Sequence, residues 1–121
     1  MKTKFSILVV FMLISFSAIG QNKMDANKMA EYQTSLMKSE LNLDKEQQDK
    51  VEELNIKYSK KMADLMNREG SMFGKMGEMK KIKKAKNGEL EKILSDDQME
   101  LFEDELEPQI RKTMRKRMTE K

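Results

Sequence analysis

A short motif occurs twice in this chain and marks the start of a helix each time. The first copy is Leu43-Asp44-Lys45-Glu46-Gln47, and the second copy is Leu94-Ser95-Asp96-Asp97-Gln98. Asp44 and Ser95 suit an N-cap, because their side-chain oxygens can accept the free N–H groups of a first helical turn. Gln47 and Gln98 lie three positions later, where a capping-box partner reaches back to the cap. The sequence therefore predicts two similar helix starts, with Leu43 and Leu94 in front of them.

Apolar residues between and around these starts recur at spacings of three and four, which predicts helices. We predict four helices, over residues 26–41, 44–69, 78–94 and 95–107. The three glycines within residues 70–77 predict a turn or hinge, and Pro108 is expected to end or kink the last helix because it lacks an N–H. No strand pattern follows residue 20. The predicted fold class is all-α, an elongated arrangement of four helices in antiparallel hairpins.

The N-terminus has the pattern of a secretory signal peptide. Lys2 and Lys4 precede a mostly apolar run from Phe5 to Phe16, and Ala18-Ile19-Gly20 offers a small-x-small cleavage site. Cleavage before Gln21 predicts export to the periplasm, and an uncleaved anchor is the alternative. The predicted domain layout is a signal peptide (1–20), a frayed N-terminus (21–27), a helical domain (28–107) and a basic C-terminal tail (108–121).

Composition narrows the chemistry that the chain can perform. It has no histidine and no cysteine, which removes the commonest general base, the thiol nucleophile and the usual zinc ligands. No phosphate-binding loop is present, so we predict neither an enzyme nor a cofactor or metal site. Removing residues 1–20 leaves 22 basic residues against 21 acidic ones, since Lys2 and Lys4 are lost from 24. That balance does not indicate nucleic-acid binding.

Methionine replaces much of the usual core composition. Leu, Ile, Val and Phe number only 16 after residue 20, and 11 methionines accompany them. Because methionine is flexible and polarizable, it suits apolar surfaces that bind several partners. We predict a client-binding surface that continues from the longest helix through the glycine-rich stretch, with these members: Met62, Met66, Met72, Phe73, Met76, Met79, Lys75, Lys80 and Lys83. The alternative is that the apolar members fold back onto the helices.

The paired motif and the export signal together resemble the Spy/CpxP-like family of periplasmic stress proteins, whose motif is Leu-Thr-x-x-Gln. Asp44 and Ser95 replace the threonine in the two copies, and both keep the capping chemistry. The resemblance covers roughly residues 29–106. It implies an ATP-independent chaperone for partly unfolded envelope proteins, acting as a curved homodimer. The alternative is a regulator that docks on the periplasmic domain of a sensor kinase, as some members of that family do.

Two further readings stay open at the level of sequence. Met72, Met76 and Met79 lie at spacings of four and three, and thioethers are soft ligands that select Cu(I). A methionine-based copper-binding stress protein is therefore a third alternative. The basic tail, in which Ile110, Met114 and Met118 recur at a spacing of four, is either an amphipathic helix or a disordered arm. Such a helix would favour an anionic surface as its partner.

Overall fold

A computed structural model describes residues 24–119, and this part of the chain is all-α with no strand. Helix α1 comprises Ala26–Leu41, α2 comprises Lys45–Asn67, and α3 comprises Met72–Ile93. The fourth helix has three consecutive stretches, α4 (Asp96–Leu101), a π-helical turn (Phe102–Leu106) and α5 (Glu107–Thr119). The predicted signal peptide and its cleavage before Gln21 lie outside the described residues. Within them, no helix is long and apolar enough to cross a membrane.

Polar side chains cap the helix starts that the sequence predicts. Asp25 accepts from the backbone N–H of Asn27 (3.0 Å), and the carboxylate of Asp44 accepts from the N–H of Gln47 (2.8 Å). The hydroxyl of Ser95 accepts from the N–H of Gln98 (3.2 Å). Both motif copies are complete capping boxes, because each glutamine side chain also accepts from the backbone N–H of its own cap. The predicted starts of α1, α2 and α4 are confirmed.

The helices alternate in direction, as hydrogen bonds along their lengths show. Between α1 and α2, Met24 pairs with Asn67 and Thr34 pairs with Asn55. Between α2 and α3, Gln47 reaches the carbonyl of Ile93 near one end, and Arg68 pairs with Glu78 near the other. Between α1 and the fourth helix, Gln98 donates to the carbonyl of Leu41, and the hydroxyls of Tyr32 and Thr113 are 3.0 Å apart. The chain is therefore a four-helix antiparallel arrangement of two hairpins.

One apolar core joins all four helices. Val51, Leu54 and Tyr58 of α2, which the sequence places on the inner stripe, are buried. The other buried members of this core are Met37, Leu41, Leu43, Leu90, Leu94, Met99, Phe102, Leu106 and Ile110. Leu43 and Leu94 are thus core residues as well as motif residues, and each fixes the start of its helix against the core.

The structure differs from the predicted glycine-rich turn and from the predicted frayed segment. Residues 70–77 do not form an extended turn, because α3 begins at Met72 and already includes Gly74 and Gly77. Ser71 caps it by accepting from the N–H of Gly74 (3.1 Å), and of the three glycines in this stretch Gly70 alone has a positive φ, 123°. Helix α1 includes Ala26 and Asn27, so it starts within the segment predicted to be frayed.

Pro108 neither ends the helix nor separates a tail from the bundle. It lies directly after the π-helical turn, in which the N–H of Glu107 donates to the carbonyl of Phe102, five residues earlier. The wider turn accommodates the proline, which removes one backbone donor and crowds the carbonyl four residues before it. Beyond it, α5 is helical, with Ile110 buried and Met114 packed against the core. The predicted end of the fourth helix at residue 107 is therefore wrong, and of the two alternatives for the basic tail the helix is the one observed, over Glu107–Thr119.

Candidate functional site

The two motif glutamines lie against each other at one end of the bundle. The Nε2 of Gln47 donates to the Oε1 of Gln98 (2.7 Å) and to the carbonyl of Ile93, the last residue of α3 (3.0 Å). The Nε2 of Gln98 donates to the Oε1 of Gln47 (3.4 Å) and to the carbonyl of Leu41, the last residue of α1 (3.0 Å). Each glutamine thus caps its own helix and satisfies a carbonyl of the opposite hairpin. We call this pair the glutamine clasp.

The glutamine clasp explains why the motif occurs twice in the chain. The last carbonyls of a helix have no intrahelical partner, and a capping box leaves one amide NH₂ group free to donate. Gln47 of the first copy donates to the end of α3, the helix that precedes the second copy. Gln98 of the second copy donates to the end of α1, the helix that precedes the first copy. All of the oxygens and nitrogens involved belong to this chain, so the arrangement holds the fold together and offers no open polar group to a ligand.

The predicted client surface lies at the opposite end of α2, around the start of α3. Phe73 is 85% exposed, Met72 is 48% exposed and Met76 is 47% exposed. Met62, Met66 and Met79, the other methionines of the predicted surface, are half-buried. Since three large apolar side chains that are neighbours on one helix face water, they form a small apolar patch. We call Met72, Phe73 and Met76 the apolar tip.

Lys75 does not belong to an exposed surface. It is 9% exposed, and its ammonium group donates to the backbone carbonyls of Met66 (3.2 Å) and Arg68. A cation at this position satisfies the last carbonyls of α2 and complements the negative end of its dipole. Lys75 therefore holds the connection between α2 and α3, although its position between Gly74 and Met76 in the sequence predicts an exposed side chain.

Lys80 and Lys83 are exposed. Lys83 forms an ion pair with Glu107 (2.5 Å between Nζ and Oε1). Burial lowers the pKa of Lys83, and the positive charge of Arg111 lowers it further. Because Arg111 is close enough to act on Lys83, basic side chains of α3 and α5 share one surface. A shallow groove next to it is lined by Lys80, Lys83, Lys84, Asn87, Gly88 and Glu91.

The structure places the three methionines of the copper hypothesis along one helix. Met72, Met76 and Met79 recur at i, i+4 and i+7, so they share one face of α3. Met79 is half-buried and the other two are exposed. Among the described residues, no group of three or more His, Cys, Asp or Glu could hold a metal ion.

Two basic residues near this surface were missed by the sequence reasoning. Arg111 was assigned to a tail, although it lies in α5 beside Lys83. Lys86 was given no role of its own among the lysines of α3, yet its ammonium group lies inside the bundle and donates to Gln33 Oε1 of α1. Burial lowers the pKa of Lys86 to about 8. The spacing of four that links Ile82, Lys86 and Leu90 is the signal that identifies Lys86 as an inward position.

The comparison with protein families finds one match. The model of the family described as a domain of unknown function (DUF4890) matches residues 18–102, which covers α1 to α4 and the first residue of the π-helical turn. The glutamine clasp and the apolar tip both lie within the matched part, while α5 follows it. No curated protein and no solved structure matches the chain.

Proposed function

We propose that this chain, which belongs to the DUF4890 family, is an exported chaperone without catalytic activity that binds partly unfolded envelope proteins. It acts without ATP, through the apolar tip and the neighbouring methionines and lysines. The resemblance to the Spy/CpxP-like family, the signal-like N-terminus and the absence of histidine and cysteine from the sequence support this proposal. A homodimer is part of the same proposal, and sedimentation equilibrium of the purified chain tests it.

The observation that carries the proposal is the exposure of the apolar tip on a well-packed bundle. Phe73 is 85% exposed, whereas Phe102, the other phenylalanine of the described residues, is 2% exposed. Core positions of α2 are filled by Val51, Leu54 and Leu65, so the methionines around the tip are not needed to complete that stripe. Flexible apolar side chains that face water can repack around different partners, which favours breadth of binding over affinity.

Suppression of aggregation tests this function. We expect the purified mature chain to suppress aggregation of an unrelated chemically denatured protein at equimolar amounts without ATP. Replacing Met72, Phe73 and Met76 together with serine should abolish most of that activity, because the variant loses the apolar surface that clients contact. The helical content and the urea midpoint should change little, since all three side chains are already about half exposed or more.

A matched control separates the tip from general surface hydrophobicity. Ile56 of α2 and Leu101 of α4 are also large, apolar and exposed, at 48% and 39%. Changing both to serine removes apolar surface elsewhere and should leave the activity intact. Equal losses in the two variants, or full activity in a folded tip variant, would show that clients do not bind at the tip. A large drop in stability of the tip variant would mean that these residues belong to the core.

A further inference from the structure

The apolar tip lies on the same side of α3 as two exposed lysines. Lys80 follows Phe73 by seven residues and Lys84 follows Lys80 by four, which places the three side chains on one helix face. All three are exposed. Nothing in the described part of the chain covers Phe73, and no hydrogen bond or ion pair is found for Lys80 or Lys84. An apolar group and fixed positive charges therefore face solvent together.

The neighbouring helix extends this positive charge. Arg111 of α5 is exposed and close enough to Lys83 to lower the pKa of that lysine. Glu107 pairs with Lys83, and Glu103 also acts on that lysine and raises its pKa. Glu91 lines the same groove as Lys80 and Lys84, but among the described residues no ion pair is formed by Lys80, Lys84 or Arg111. Six further acids of the fourth helix precede Glu107, in α4 and the π-helical turn, and of these Glu103 acts on Lys83: Asp96, Asp97, Glu100, Glu103, Asp104 and Glu105. The charge on the fourth helix is thus separated along its length.

We propose that this face binds the surface of a bilayer that contains anionic phospholipid, with Phe73 entering the interface and Lys80, Lys84 and Arg111 contacting headgroups. Phe73 lies at the start of a helix and is 85% exposed, so its ring can enter a soft planar surface. Exposed aromatic side chains partition into the headgroup boundary, and nearby lysines add attraction to anionic lipid. This inference does not depend on chaperone activity, which is measured without lipid.

The chain contains no tryptophan, so a tryptophan introduced at one position reports directly on the proposed insertion. In the Phe73→Trp variant we expect a blue shift of emission, and quenching by brominated acyl chains, with vesicles of phosphatidylglycerol and phosphatidylcholine. Vesicles of phosphatidylcholine alone should give neither. The control is Ile56→Trp, at an exposed position beside the groove between α1 and α2, which should show no shift. Equal shifts at the two positions, equal shifts with neutral vesicles, or no shift at all would overturn the proposal.

Charge reversal tests the contribution of the lysines. We expect Lys80→Glu with Lys84→Glu to weaken partition into anionic vesicles by roughly 30-fold or more, since each basic residue near the surface contributes about fivefold. The control variant is Lys45→Glu with Lys50→Glu, which makes the same change of net charge at the start of α2, far from the apolar tip. It should alter partition by less than about twofold. Both variants should keep the circular dichroism of the parent chain.

Two results of the charge-reversal experiment would contradict the membrane assignment. Equal losses in the two double variants would show that only net charge matters. Binding of the parent chain to soluble poly-glutamate, combined with no partition into vesicles of either composition, would identify an acidic polypeptide as the occupant. The aggregation assay contains no lipid, so its result does not depend on either of these outcomes. Failure of the lipid proposal can therefore be told apart from failure of the chaperone proposal.

Discussion

The ammonium group of Lys86 lies between α1 and the fourth helix. It donates to Gln33 Oε1 and lies 5.9 Å from the centre of the Phe102 ring. No carboxylate pairs with it in the described structure, so burial disfavours its charged form and lowers its pKa from 10.5 to about 8. The folded chain consequently binds this proton less tightly than the unfolded chain does.

The pH dependence of stability should reveal this lysine. Between pH 8 and 10.5 the unfolded state holds more protons, so the contribution of Lys86 to the free energy of unfolding rises with pH in that window. Changing Lys86→Met removes this dependence. We expect the stability of the parent chain relative to the variant to rise by about 2 to 3 kcal/mol from pH 7 to pH 10. Urea unfolding across this range measures it, and parallel curves would contradict the burial of a titrating ammonium.

The sequence predicts the role of many single residues but not those of the lysines. Asp44, Ser95 and the two glutamines were identified because capping depends on local spacing, which the sequence shows directly. Lys75 was assigned to a surface and Lys86 was given no role, because lysine is rarely buried. Their positions depend on what the neighbouring helix presents: carbonyls at the end of α2 for Lys75, and an amide oxygen of α1 for Lys86. That information exists only once the helices have packed.

At the scale of elements, the connection between α2 and α3 depends on one side chain. Lys75→Met should lower the free energy of unfolding by about 1 to 3 kcal/mol, because the carbonyls of Met66 and Arg68 lose a charged donor. Lys81→Met is the matched control, since Lys81 is an exposed lysine of the same helix, and it should change stability by less than about 0.5 kcal/mol. Equal effects of the two changes would mean that the carbonyls find other partners.

The glutamine clasp joins the two hairpins through four side-chain hydrogen bonds. Gln47→Ala and Gln98→Ala should each cost about 1 to 3 kcal/mol of unfolding free energy, because each leaves polar groups of the other hairpin unsatisfied. The double variant should cost less than the sum of the two single variants, since they share hydrogen bonds. Chemical denaturation of the parent chain, the two single variants and the double variant measures the coupling between the two glutamines. Strictly additive losses of stability would show that the two amides act independently.

Helix boundaries were predicted well where side chains decide them and poorly where backbone conformation does. The capped starts of α1, α2 and α4 agree with the sequence, because Asp25, Asp44 and Ser95 carry the signal themselves. The start of α3 was predicted six residues too late, because Gly74 and Gly77 indicate a turn although a helix tolerates them at a modest cost. The continuation past Pro108 needed the π-helical turn, which no residue pattern marks.

At the scale of the whole molecule, α5 is part of the bundle. Ile110 is buried, Met114 packs against the core, and Thr113 lies within hydrogen-bond distance of Tyr32. A chain that ends at Glu107 should therefore lose at least about 2 kcal/mol of stability, from the apolar burial of Ile110 and Met114. A chain that ends at Thr119 is the control and should keep its urea midpoint. An unchanged midpoint in the shorter chain would restore the interpretation of residues 108–121 as a separate tail.

The reciprocal pattern of the glutamine clasp also sets how the molecule opens. Since Gln47 satisfies the end of α3 and Gln98 satisfies the end of α1, neither hairpin completes its own hydrogen bonding when the other is detached. Partial unfolding of one hairpin therefore leaves the other with an unsatisfied helix end as well as an uncovered core. Amide protons at the centres of α1 and α3 should then exchange with solvent through one common opening event, with the same free energy and the same response to denaturant.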